Sequence, residues 1–133
     1  GYKVGATFFT VDLHAAYTST DDKGNVIRGI GEAATASFTS STSTVGNYTA
    51  GTDSWQIGAS KKFGNLTTKA SFTNSDSLLI KDDLKQTYLG AKYKFSGAFK
   101  NLEVSTDYTI YNHGTGNNSK DKDELRLKAI YFF

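Results

Sequence analysis

Apolar and polar side chains alternate with a period of two along most of the chain, and this pattern predicts β-strands with two unlike faces. Aromatic residues, glycine and threonine are abundant, which also favours strands over helices. The alternating segments have about 8 to 11 residues, close to the length that a tilted strand needs to cross a bilayer. There are seven of them, at about residues 2–8, 11–18, 54–63, 66–73, 86–95, 102–111 and 124–133.

The connections between these segments are alternately short and long. The short ones are residues 9–10, 64–65 and 96–101. The long ones are rich in Ser, Thr, Asn, Asp, Gly and Lys, and they cover residues 19–52, 75–84 and 113–122. Short periplasmic turns on one side and long extracellular loops on the other are typical of an outer-membrane barrel. We therefore expect an all-β fold, an antiparallel transmembrane β-barrel of the outer-membrane porin type.

Aromatic residues concentrate near the ends of the apolar faces of these segments. Outer-membrane barrels carry such rings at both membrane interfaces. Lys61 breaks the apolar face near one interface, where its ammonium can extend to water. The residues expected in the two girdles are Phe8, Trp55, Phe63, Phe72, Tyr93, Phe95, Tyr108, Tyr131 and Phe133.

The opposite faces of the segments carry a series of charged residues. Charged side chains at membrane depth need water or partners, because isolated burial is very costly. A water-filled pore supplies the water, and a line of cations raises the local concentration of anionic solutes. The alternative is that Lys and Glu on adjacent strands neutralise each other. The basic residues expected to line the pore are Lys3, Lys62, Lys69, Lys92, Lys94, Arg126 and Lys128. The acidic or polar ones are Asp12, His14, Glu103, Asp107, Tyr111 and Glu124.

Composition and motifs give no support to several other classes of protein. The chain has 133 residues, a formal net charge of +2 and no Cys, so no nucleic-acid partner is indicated. Its apolar runs are far shorter than the roughly 20 residues of a membrane helix. The two histidines, His14 and His113, form no nucleophile and base set and no metal-ligand cluster in the sequence. We therefore predict no enzyme activity, no catalytic residue, no bound metal and no cofactor.

The direction of the last strand predicts that the barrel is larger than this chain. An outer-membrane chain ends on a strand that runs toward the periplasm, so the first strand here would start at the outer surface. Seven antiparallel strands would also bring two parallel strands together at the seam, whereas bacterial single-chain barrels have even strand numbers. The chain is therefore expected to be the C-terminal portion of a single barrel domain of about 16–18 strands.

Three stretches resemble the outer-membrane porin D family, the substrate-selective porins of Gram-negative bacteria: "DSWQIGAS", "SGAFKNLEV" and "DELRLKAIYFF". The resemblance covers the chain from about Asp53 onward. It implies an eighteen-stranded barrel, often trimeric, whose lumen has a ladder of basic residues that guides carboxylates or amino acids. Arg126 and Lys128 would belong to that ladder. Because outer-membrane proteins commonly end on Phe, it also implies that the barrel-assembly machinery recognises Phe133 and its strand.

These observations predict a porin of the bacterial outer membrane, in contact with the lipid bilayer and lipopolysaccharide. It would allow passive diffusion of small hydrophilic solutes and ions, with a preference for anionic or carboxylate solutes. One alternative is a small outer-membrane anchor or adhesin that acts through its loops, the longest of which, 19–52, would bind a partner or fold inward. Another is a soluble sandwich or barrel, in which one wet face and one core face give the same alternation.

Overall fold

The computed structural model describes residues 1–23, 50–77, 82–114 and 121–133. They form one antiparallel sheet in which each strand is bonded to its neighbours in sequence. The predicted all-β class and the seven antiparallel strands are confirmed. The strands are β1 (Tyr2–Phe8), β2 (Val11–Ser19), β3 (Thr52–Phe63), β4 (Leu66–Ser77), β5 (Asp82–Lys94), β6 (Leu102–His113) and β7 (Lys122–Tyr131). In these ranges the one helical element is a 3₁₀ turn at Gly97–Phe99, and no helix could span a membrane.

Five strands, β2 to β6, are longer than the alternation predicted, most of all β4 and β5. β3 begins at Thr52, β4 continues to Ser77, and β5 begins at Asp82. These extensions form because Ser77 pairs with both Thr52 and Asp82, which satisfies the backbone whatever the polarity of the side chains. The strands therefore include residues that the sequence assigned to the connections 19–52, 75–84 and 113–122, since β6 ends at His113 and β7 begins at Lys122. Much of the three long connections lies outside the described residues, at 24–49, 78–81 and 115–120.

Two of the short turns both contain residues at positive φ, but only one of them is sterically strained. In the turn after β1, Phe9 and Thr10 have φ angles of 44° and 65°. Positive φ at both central residues is the type I′ pattern, which suits the twist of a hairpin but is strained for bulky or β-branched residues. In the turn after β3, Gly64 has a φ angle of 56°, which glycine adopts without that cost.

The hairpins are displaced from one another by a constant step. Val11, at the start of β2, pairs with Lys61, which is two residues before the end of β3 at Phe63. In the same way Leu66, at the start of β4, pairs with Tyr93, which is two residues before Phe95. The N–H of Phe95 donates to the carbonyl of Leu102 and so continues the β5–β6 ladder. Each hairpin therefore reaches two residues beyond the one before it, about one residue per strand. Such a regular stagger accompanies strand tilt in a closed barrel.

The described sheet is open at both sides. β1 pairs with β2 alone, and β7 pairs with β6 alone. On these outer strands the apolar side chains are highly exposed, as at Leu127, which is 77% exposed. An exposed, regular edge strand presents unpaired N–H and C=O groups that can pair with another strand.

The two faces of the sheet differ in chemistry and in burial. The apolar face carries Leu13, Ile57 and Leu89 on strands with neighbours on both sides, and these side chains are 46%, 53% and 50% exposed. The other, polar face holds most of the buried side chains of the described residues, and nearly all of these are hydroxyls or amides: Thr18, Thr20, Thr52, Ser54, Gln56, Thr73, Ser75, Ser77, Gln86 and Thr109. This is the inverse of a soluble sandwich, which buries its apolar face.

Candidate functional site

Strand register puts every residue predicted to line a pore on the polar face, because directly paired residues of antiparallel strands project to the same side of a sheet. One row across six strands contains Asp12, Ser60, Lys69, Gly90, Asp107 and Arg126. The next rows toward the short turns contain Lys62, Thr67, Lys92, Ser105 and Lys128, then Lys94 and Glu103. Toward the long connections, the next row includes His14 on β2 and Glu124 on β7, and the row after it includes Lys3 on β1 and Tyr111 on β6.

Three of the predicted basic residues, Lys69, Lys92 and Lys128, line one cleft of about 200 Å³ on the polar face. Lys92 and Lys128 flank Ser105 in one row, so their strands lie roughly 10 Å apart, twice the spacing of neighbouring strands. The rest of the lining is Thr67, Tyr88, Gly90, Ala91, Ser105 and Asp107. An open cleft with several ammonium and hydroxyl groups is suited to anions such as carboxylates, which accept charge-assisted hydrogen bonds. Lys3, on the outer strand β1, does not line this cleft.

Glu103 offsets part of the positive charge at the short-turn end of the cleft. Its carboxylate lies 3.7 Å from Lys92 Nζ and 3.6 Å from Lys94 Nζ. The Glu103 side chain is mostly buried, whereas those of Lys92 and Lys94 are 41% and 66% exposed. One carboxylate shared by two ammonium groups leaves a net positive charge. Cross-strand neutralisation, the alternative interpretation of the basic residues, therefore applies here in part.

The basic residues predicted to line the pore also include Arg126 and Lys62, and they differ in whether a carboxylate pairs with them. Arg126 pairs with Glu124 of the same strand. For Lys62, Lys69 and Lys128, no carboxylate lies within ion-pair distance in the part of the chain that the structure describes. The ammonium groups of Lys69 and Lys128 are thus available to a solute that enters the cleft.

Tyr88 and Gly90 are site residues that the sequence patterns did not single out. Tyr88 Oη donates to Asp107 Oδ1 at 2.5 Å. The Tyr88 side chain lies over Gly90, where an added Cβ would be 2.5 Å from Tyr88 Oη and 3.0 Å from Asp107 Oδ1. The signal in the sequence is a tyrosine on the polar face two residues before a glycine of the same strand, since glycine within a strand marks a close approach. Together these residues hold the carboxylate of Asp107 at the cleft wall.

Toward the long connections, the part of the polar face on β2, β3 and β4 is a network of uncharged side chains. Gln56 donates from Nε2 to Thr73 Oγ1 at 2.9 Å, and its Oε1 accepts from His14 Nε2 at 3.1 Å. Ser54 Oγ donates to Ser75 Oγ at 2.8 Å. His14 is therefore held in place by the side-chain amide of Gln56. In a catalytic set it would instead be oriented by a carboxylate and would contact a nucleophile. Within the described ranges, no group of three or more His, Cys, Asp or Glu residues is placed to hold a metal ion.

The residues predicted to form aromatic girdles lie on the apolar face. Near the short turns, ring centroids are 4.9 Å apart for Tyr93 and Phe95 and 5.1 Å apart for Tyr131 and Phe133. Phe8 and Phe63 end their strands on the same side.

Trp55 and Phe72 pack together toward the other end, with centroids 5.4 Å apart. Tyr108 lies near the middle of β6 rather than at its end, and its hydroxyl donates to Asp123 at 2.7 Å. The place of Tyr108 in a girdle stays a prediction.

Comparison with family models, with curated proteins and with solved structures gives no match for this chain.

Proposed function

We propose that this chain forms part of a transmembrane β-barrel of the bacterial outer membrane and that its polar face lines an aqueous channel. The observation that carries the proposal is the inversion of the two faces. Leu13, Ile57 and Leu89 remain about half exposed, while hydroxyls and amides on the opposite face are buried. An apolar surface that extends over seven strands requires a non-aqueous partner, and a bilayer provides one.

The stagger of the hairpins and the two open edges support a closed barrel larger than the described sheet. A regular displacement of about one residue per strand gives the tilt that closure requires. In lipid, the unpaired backbone groups of β1 and β7 would find no water, so a closed ring of strands is needed. Further strands that connect these two edges would close the ring. The resemblance to the outer-membrane porin D family suggests eighteen strands and a trimer.

The charges of the cleft support a channel that favours anions. Lys69 and Lys128 have no carboxylate partner among the described residues, and Glu103 is shared by two lysines. Three lysines outnumber the one carboxylate in the lining, and a cleft in which one sign of charge predominates raises the local concentration of oppositely charged solutes by about tenfold or more. The channel thus passes small hydrophilic solutes and ions by passive diffusion and favours anions, carboxylates among them.

Reversal potentials across a planar bilayer test this function. The full-length native protein is inserted under a KCl gradient, and the variants Lys69→Glu and Lys128→Glu are compared with Lys100→Glu, which alters an exposed residue of the turn after β5. We expect channels that prefer chloride, a weaker preference in the first two variants and no change in the third. Equal potentials in all three would refute the role of the cleft. Absence of any channel, with surface binding that disappears when residues 33–50 are deleted, would refute the porin and favour the anchor or adhesin.

A further inference from the structure

A long groove runs along the apolar face, on the side of the sheet opposite to the basic cleft. Its lower part, near the short turns, has a volume of about 420 Å³. A second depression of about 520 Å³ continues it toward the long connections, and the two share Ala59, Ala70 and Leu89 in their walls. Both volumes lie in the range of small-molecule sites.

The shape of the groove follows from the size of its side chains. Ala59 and Ala70 are paired directly across β3 and β4 and form a low floor. Val11, Leu89 and Tyr108 rise at its sides. From Ile57 to Lys61 it extends about 14 Å along β3, at about 3.4 Å per residue. Its lining also spans β2 to β6 across the sheet, so the groove is a broad, open apolar depression. It accommodates a hydrocarbon chain, which needs no hydrogen bonds.

Lys61 closes the lower end of this groove with a positive charge. Its Nζ lies 4.8 Å from the centroid of the Phe63 ring, so the ammonium points toward the short-turn end of β3. No carboxylate lies within ion-pair distance of it among the described residues. The side chain is half-buried, and a partly desolvated ammonium is stabilised by an anion.

We propose that the groove binds one acyl chain of an anionic phospholipid and that Lys61 binds the phosphate of its headgroup. The proposal rests on the membrane location inferred above, in which the short turns face the periplasmic leaflet. A second copy of the chain is a poorer occupant, because the described strand carboxylates on the apolar face lie toward the long connections and would not meet Lys61. These are Asp53, Asp76, Asp83 and Asp123.

Native mass spectrometry of the full-length protein in detergent tests the site with two probes that share the same acyl chains. The probes are phosphatidylglycerol, which is anionic, and phosphatidylcholine, which is zwitterionic. Lys61→Gln is compared with Lys62→Gln, because these adjacent residues lie on opposite faces of the sheet. Ala70→Phe fills the groove without changing charge.

We expect the unaltered protein to retain phosphatidylglycerol about fivefold better than phosphatidylcholine, the effect of one basic residue near an anionic headgroup. Lys61→Gln should abolish that preference, Lys62→Gln should keep it, and Ala70→Phe should reduce retention of both lipids. Equal retention of both probes by the unaltered protein, or equal loss with either lysine variant, would overturn the proposal. So would an Ala70→Phe protein that loses its oligomeric state but keeps its lipid, since a second copy would then occupy the groove.

Flotation with vesicles and single-channel recording separate this proposal from the porin function. Protein that inserts and conducts but shows no headgroup preference overturns the lipid site alone. Protein that neither floats with vesicles nor conducts contradicts the membrane function on which the site depends.

Discussion

Replacing Tyr88 by Phe isolates the effect of one hydroxyl on the charge of the cleft. The ring lies over Gly90 and would keep that place, whereas the hydrogen bond to Asp107 would be lost. In the described part of the chain, Asp107 has no ion-pair partner while Tyr88 holds it. Lys92 and Lys128 occupy the diagonal positions next to Asp107, about 7 to 8 Å away along the backbone ladder. Arg126 lies directly opposite Asp107 on β7 but is already paired with Glu124, so a released carboxylate would pair with one of these lysines.

The size of the effect follows from the loss of one cation in the cleft. Two unit charges 4 Å apart interact by about 1 kcal/mol in water, and salt weakens this interaction. A difference of about 1.4 kcal/mol corresponds to a factor of ten. We therefore expect Tyr88→Phe to lower the ratio of anion to cation permeability by about two- to fivefold, measured from reversal potentials under a KCl gradient.

A double-mutant cycle decides whether Asp107 carries this effect. Asp107→Asn should raise the permeability ratio, because a negative charge is removed from the cleft. In the Asp107→Asn background, Tyr88→Phe should then have no further effect. A fall of the same size in that background would refute the reasoning, since no carboxylate would be there to be released.

Three further predictions concern stability and charge. Thr10→Gly should stabilise the protein by about 1 kcal/mol in denaturant unfolding, because it relieves a β-branched residue at positive φ, and no gain would contradict the strain. Gly90→Ala should destabilise by about 1 to 3 kcal/mol and lower anion preference as Tyr88→Phe does, and unchanged reversal potentials would contradict this. The Asp83 carboxylate, with some desolvation, raises the pKa of Asp76 at the end of β4, outside the proposed membrane band. The folded state then binds more protons than the unfolded state, so the thermal midpoint should fall as pH rises from the ordinary carboxyl range through the raised pKa of Asp76. If the midpoint of Asp76→Asn falls with pH in the same way, another group is responsible.

The side of the sheet on which each residue lies was predictable from the sequence. Side chains alternate strictly along a strand, so a single shift in register would have moved every residue to the opposite face. Lys92 and Ser105 pair across β5 and β6 without such a shift, and Lys69 follows the same parity on β4. The strands show no break in this parity, which is why alternation alone sorted the lysines of the cleft from the aromatic residues of the apolar face.

The contacts within the polar face were not predictable, because they depend on the stagger between strands. The distance that separates Glu103 from Lys92 and Lys94 is set by the alignment of β5 and β6, which the hydrophobic pattern does not specify to the residue. Tyr88 was missed for a similar reason. A tyrosine on the polar face need not lie over Gly90 or reach Asp107. Both contacts depend on the three-dimensional arrangement of the strands.

The polar face is divided into two zones, and the division indicates where a solute would be discriminated. Toward the long connections, Gln56 and Thr73 satisfy each other and are buried, which uncharged groups tolerate when they are hydrogen-bonded. Toward the short turns, Lys92 and Lys94 outnumber the carboxylate they share and remain well exposed. An excess of cations is stable only where water or a counter-ion reaches it. In the proposed channel, selection by charge would therefore belong to the half near the short turns, and the uncharged zone would contribute shape and hydrogen bonds instead.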